Sequence, residues 1–325
     1  MSDRARLAPR RHVPPWARFV VRRLAAGLVV VWGTLTVTFF ALHLAPGDIV
    51  DGLIGPGAAA TPALRGQVIA ENGLDDPLLL QYGRQLGQLA SGGLGWSYQL
   101  NEPIERLLGS QLGPTVELAV SALVTALVLA VLAAVLTAGR GRAVRGAAGL
   151  TELLMVSMPS FWLGIILLTV FSYRLHALPS IGADGPAALV LPTLALALPL
   201  AGVLAQVIRQ ELESTDGRPF VLTARSRGLG ETAVLLRHTL RHALLPLTTL
   251  GGFVLGSLFG GAVLVENIFT RPGLGRVLAN AVGSRDLPVV SALVVISSAA
   301  FVVINTLVDV LHPLIDPRLR EGGPA

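Results

Sequence analysis

Residues 222–246 read LTARSRGLGETAVLLRHTLRHALLP, a long polar stretch set between two strongly apolar runs. Apolar residues Leu222, Leu229, Val234, Leu235, Leu240 and Leu244 recur at spacings compatible with helices, and Gly228 and Gly230 interrupt them. The spacing predicts a short helix, a bend, and a second helix leading into the next apolar run. Four arginines (Arg225, Arg227, Arg237, Arg241) sit on this stretch of an otherwise hydrophobic chain. What flanks it therefore decides the fold.

Hydrophobic residues make up 52% of the 325 and charged ones only 14%, the balance of an integral membrane protein rather than a soluble domain. The net charge of +5 comes entirely from arginine, because lysine is absent. Without lysine the phosphate-cradling loop G-x-x-x-x-G-K-[ST] cannot be written, so this chain is not itself a P-loop ATPase. The absence of cysteine excludes disulfides, thiolate chemistry and Cys-ligated metal or iron–sulfur sites. The strings H-E-x-x-H and G-x-S-x-G do not occur.

Taken in order, residues 1–23 carry seven arginines against Asp3 and read as a tail with an interfacial helix around Trp16 and Phe19. The run 24–43 is about 20 residues, or about 30 Å as a helix, which matches a bilayer core. It is too long for the core of a cleavable signal peptide and reads as an uncleaved anchor. Residues 44–114 turn to Gly, Pro, Asp, Gln and Asn with short amphipathic pieces such as Leu78 to Ala90, as expected of a loop or small subdomain outside the cytoplasm. Further spans follow near 115–138, 149–172, 188–208, 243–265 and 288–311, within a core of 115–312 and before a tail of 313–325. Pro159 in the third span, and Pro192 and Pro199 in the fourth, predict kinks. In this six-helix, all-α scheme one side holds 18 arginines and the other 7, so both termini and the loop 209–242 are expected in the cytoplasm. The basic charge is then topological, and nucleic acid is not an expected partner.

Few side chains suggest chemistry. His238 and His242 have a metal-compatible i, i+4 spacing, but no third ligand is near and Arg237 and Arg241 would repel a cation, so no metal site is expected. His43, at the end of the first span, faces either a pathway or the headgroups. Glu152 and Asp309 fall inside spans near their cytoplasmic ends, within reach of Arg145 or Arg318, and read as ion pairs rather than a proton relay. Between the last two spans, Glu266, Arg271, Arg285 and Asp286 fit either a capped loop with local salt bridges or a gate touching an external protein.

The opening stretch resembles the "EAA" signature of permease subunits of ATP-binding-cassette importers, in the form found in dipeptide, oligopeptide and nickel permeases. The T-A-R-x-x-G-L core is Thr223-Ala224-Arg225-Ser226-Arg227-Gly228-Leu229, and H-x-L-R-x-A-L-x-P is His238 to Pro246. The general pattern has Glu at 222 and Pro at 241, where this chain has Leu222 and Arg241. Further similar strings are Leu44 to Asp48, Gly73 to Pro77, Gly93 to Ser97, Met158 to Gly164, Glu266 to Phe269, Pro272 to Gly275, Arg285 to Pro288 and Asp316 to Arg318. The resemblance implies a type I importer permease fold in a prokaryotic cell membrane. It implies a second homologous permease, two ATPase subunits that use ATP and Mg, and an extracytoplasmic binding protein as partners, beside membrane lipid. Neither catalysis nor a cofactor is implied for this chain. The substrates implied are peptides, with nickel chelates or glutathione as alternatives; an ion-coupled secondary transporter is the competing class. The loop 209–242 would dock the ATPase through Ala224, Gly228 and Leu229, which pack closely, and Arg225 and Arg227, which meet acidic groups.

Overall fold

A computed structural model describes residues 15–44, 49–54, 61–97, 99–137, 140–179, 181–182, 185–215, 218–234, 243, 246–247 and 250–315. His238, His242, Arg237, Arg241, Arg318 and most of the 313–325 tail lie outside them. The described chain is helical except for a two-stranded antiparallel hairpin. Its elements are α1 (Pro15–Leu44), α2 (Ile49–Ile54), α3 (Pro62–Asn72), α4 (Leu78–Ala90), β1 (Trp96–Ser97), β2 (Glu102–Pro103), α5 (Ile104–Thr137), α6 (Arg142–Ser157) and α7 (Ser160–Leu167), which continues as a π-helix over Leu168–Arg174. Then come α8 (Pro186–Thr215), α9 (Pro219–Ser226), α10 (Glu231–Val234), α11 (Gly251–Ile268), α12 (Leu274–Ser284) and α13 (Leu287–Ile315).

Within α1, α5, α8 and α13 lie stretches long and apolar enough to cross a bilayer. The pair α6 and α7 passes the same test only together, and it is bent by 100°. This departs from the single kinked span expected over 149–172. Pro159 supplies no N–H and holds extended geometry between the two helices, so the ladder stops at Ser157 and restarts at Ser160. Pro192 and Pro199, by contrast, lie inside an uninterrupted α8.

The seam between α5 and α8 is the centre of the bundle. Ala122, Ala126, Ala130 and Ala134 recur every fourth residue on the buried face of α5, which packs on α8, where Thr193 meets Ser121 and the buried Ala197, Ala201 and Ala205 follow at the same spacing. Small side chains on both helices let the backbones approach closely, which is how packing is gained where lipid removes the hydrophobic drive. The opposite face of α5 exposes Val116, Val120, Val124, Val128, Leu132 and Leu136 at the same spacing. Along the antiparallel seam of α1 with α13, a Cβ on Gly27 would overlap the Val302 side chain, so only glycine fits there.

Ion pairs fasten the arginine-rich end. Glu152 is bonded to Arg209 (Nη2 to Oε2 2.8 Å, Nε to Oε2 3.0 Å), and Asp309 pairs with Arg23. Glu152 is paired as expected, but with Arg209 rather than Arg145, because the nearest arginine in sequence is not the nearest across a helix seam. Asp309 is paired as well, and Arg318 lies outside the described residues.

At the other end, α2 to β2 dock on the bundle. The Tyr82 hydroxyl lies 2.6 Å from that of Thr36, its ring lies against Phe39 and Phe40, and Gln99 donates to the carbonyls of Gly52 and Ser284 (2.5 and 2.6 Å). Helix α5 starts at Ile104, well before the apolar core expected from 115.

Candidate functional site

Two sites emerge, one at each end. At the arginine-rich end, α9 begins with Pro219 at its first turn, where a missing N–H costs nothing. It ends in a Schellman turn: Gly228 N–H donates to Arg225 O (2.9 Å) and Leu229 N–H to Ala224 O (3.2 Å). Gly228 holds φ +84°, and among the described residues, its chain neighbours aside, no atom lies within 4 Å of where its Cβ would be. Within the chain its task is therefore conformational, because only glycine adopts this geometry without strain.

Val221, Ala224 and Val234 are buried together, with Leu229 against them. This small core turns α9 and α10 into one unit. Ala224, expected to pack closely, packs within the loop itself. Leu222, half exposed, and Thr223, Ser226 and Arg227 form the outward face, while Arg225 is half-buried. Exposed leucine beside exposed arginine is a surface suited to a protein groove with acidic rims.

At the other end, Glu266 lies inside the last turn of α11 rather than in the connecting loop and has no exposed surface. Its carboxyl accepts from the Thr115 hydroxyl (2.7 Å) and from the backbone N–H groups of Gly275 (2.8 Å) and Arg276 (3.1 Å). Thr115 Oγ1 in turn accepts from Leu274 N–H (2.8 Å). An acid thus satisfies the orphan donors at the start of α12, where the helix dipole favours it. Pro272-Gly273-Leu274-Gly275 is explained by the same contact. A Cβ at Gly273 would stand 2.2 Å from Glu266 Cδ, and one at Gly275 would stand 2.5 Å from Val263 Cα.

Arg271 reaches across to Glu117 (2.5 Å), and Arg276 donates to the Thr270 carbonyl (2.9 Å). Arg285 closes α12 in left-handed geometry at φ 59°. Asp286 caps α13 through Val289 N–H (3.4 Å) and takes a 2.5 Å bond from the Ser97 hydroxyl, which ties the hairpin to the bundle. Of the four residues singled out here from the sequence, Glu266 and Arg271 share one knot, while Arg285 and Asp286 form the α12–α13 corner. Thr115, Glu117 and Ser97 were missed. The one available signal was a hydroxyl at the start of an apolar run, which is too common to point anywhere.

A cavity of about 670 Å³ opens between α1, α4, the hairpin and α13, with His43, Gln85, Trp96 and Glu105 in its wall. His43 is held there by the Phe39 carbonyl (2.8 Å). Among the described residues no three His, Asp or Glu side chains are grouped to hold a metal ion.

Residues 115–321 match the family described as binding-protein-dependent transport system inner membrane component. The chain belongs to that family. A Brucella ovis protein provisionally named a peptide permease is 36% identical over 315 residues, covering 93% of this chain and 99% of its own length. The glutathione transport system permease protein of Salmonella typhi is 34% identical over 307 residues, covering 93% and 98%. A chain from a crystal structure of an amino acid ABC transporter aligns with 19% identity and a TM-score of 0.47 over 66% of this chain and 94% of its own. The protein is thus a non-catalytic, multi-pass permease component of an inner-membrane ABC importer. The family match takes in both sites, from Thr115 through the 209–242 loop to α13.

Two outcomes are expected at the Glu266 end. Glu266→Ala leaves the Thr115 O–H and two α12 N–H groups without their acceptor, and should lower stability by about 2–4 kcal/mol, read as thermal unfolding of the detergent-solubilised protein. Burial holds the Asp286 carboxyl above the ordinary aspartate range, against the opposing bonds from Ser97 and Val289. The folded state then keeps a proton that the unfolded chain releases. The Asp286 contribution should fall as pH rises from about 4 through the raised value, and unfolding temperatures of Asp286→Asn should lack that decline.

Proposed function

We propose that the chain is one of two homologous permeases that together enclose the pathway for short peptides, with six spans and both termini in the cytoplasm. The loop 209–242 docks a separate ATPase subunit, ATP and Mg are used there, and a binding protein delivers peptide to the Glu266 end. What carries this reading is α9: a short helix closed by Gly228, held on its own small core, with Leu222 and Arg227 left facing outward. The arginine distribution supports the orientation. Relatives named for peptide and for glutathione, itself a tripeptide, support the substrate class.

In this reading the fifth span is the run 243–265, whose described residues, 243, 246–247 and 250–265, include most of α11 (Gly251–Ile268). Glu152 and Asp309, the acids that a proton-coupled carrier would draw on, are each held by an arginine, which favours ATP-driven transport over ion coupling.

Gly228 separates docking from local strain. Gly228→Ala and Gly228→Trp meet the same backbone penalty of about 1 kcal/mol, and among the described residues nothing crowds a Cβ at this position. Reconstituted with its partner subunits, the alanine variant should keep most peptide uptake and the tryptophan variant should lose it while still inserting. Equal uptake by the two would remove the partner groove from the account.

A further inference from the structure

The buried pair Glu152–Arg209 stands where two structural discontinuities meet. Glu152 lies on α6, five residues before that helix ends at Ser157, and is only 6% exposed. Arg209 lies on α8, which runs on to Thr215 and is followed by α9 from Pro219. Arg218, just ahead of α9, donates from Nε to the Ser214 carbonyl (3.2 Å), so the start of α9 is tied to the end of α8.

The seam between α6 and α8 is tight along this stretch. A Cβ at Gly202 would stand 2.9 Å from the Glu152 carbonyl oxygen and 3.0 Å from Met155 Cβ, and Gly149 lies beside the Arg209 guanidinium. Contact at Gly202 resists compression but not sliding, since nonpolar packing has little direction. The pair adds direction: Nε and Nη2 both bond Oε2 of a buried carboxylate, while the guanidinium stays about a third exposed, so the cost of a broken pair falls on Glu152. Beyond Ser157 the ladder is interrupted and α7 leaves at 100°, so no continuous helical ladder ties α6 to α7 across Met158–Pro159.

We propose that Glu152 and Arg209 are positioning residues for energy coupling: the pair makes α6 travel with α8 when α9 is displaced, and so carries the motion to the break at Pro159. Neither side chain touches substrate or nucleotide. This rests on the reading of α9 as the ATPase contact. Such transmission requires an element with two discrete arrangements biased from a distant contact, and the proposal places that element at the 100° break between α6 and α7.

The test uses the complete complex in proteoliposomes, with binding protein and labelled peptide, and compares Glu152→Gln, Arg209→Gln and the exchange Glu152→Arg/Arg209→Glu. The single variants should copurify with the ATPase and hydrolyse ATP as the parent does, while peptide imported per ATP falls about tenfold. Arg209 also lies 3.7 Å from Glu213 on its own helix, so the exchange is made together with Glu213→Gln; it then restores opposite charges across the same seam and should recover most of that ratio. Because Arg209→Gln leaves the buried Glu152 carboxylate without its partner and can unfold the chain, whereas Glu152→Gln leaves Arg209 beside Glu213, Glu152→Asp is included; it keeps the charge, shortens the reach, and should lower the ratio in a stably folded protein. An unchanged ratio in the Asp variant and in every folded single variant overturns the proposal, as does a well-folded exchange variant that stays uncoupled. Failure of the unmodified chain to bind any ATPase defeats the docking reading instead.

Discussion

A carboxyl group with no exposed surface, that of Glu266, sets the arrangement of one whole end of the bundle. Burying it without partners would be prohibitive, so three donors must converge on it, and they come from α5 and the first turn of α12. That requirement draws α12 back over the end of α11, which only Gly273 and Gly275 permit. It also fixes where α12 stops and α13 starts, hence where Asp286 meets Ser97 and the hairpin docks. Remove the carboxyl, and the α5–α11–α12 junction loses its common acceptor.

The opposite end is built on another rule. There the fastenings are ion pairs between helices, Glu152 with Arg209 and Asp309 with Arg23, placed where the chain leaves its apolar region. Between the ends, alanine faces alanine along α5 and α8, and the valines and leucines of α5 are turned outward. The middle of the molecule is thus held by shape and its ends by polar groups. A permease that must change conformation needs close-packed helices able to shift as units about defined ends, and this division supplies them.

Much of this was legible in the sequence, for identifiable reasons. Long apolar runs announce spans because an unpaired backbone is intolerable in lipid, and the arginine asymmetry supports the orientation proposed above. The α9 bend was visible in Gly228, although its physical basis is left-handed geometry rather than close approach. What escaped were relations between distant residues. Arg209 lies 57 positions from Glu152, and Thr115 lies 151 from Glu266; no local pattern links such pairs. The 100° break was underestimated because proline alone does not say whether a helix bends or stops: Pro192 and Pro199 are carried through, whereas Pro159 is not.

The central claim is that the outward face of α9 is gripped by an ATPase. The chain contains no cysteine, so single cysteines can be placed along residues 221–227 and cross-linked in the assembled complex. Leu222, Thr223, Ser226 and Arg227, which face outward, should cross-link to the ATPase subunit, and the buried Val221 and Ala224 should not. Absence of cross-links from all four outward positions, in a complex that still imports peptide, would contradict the account.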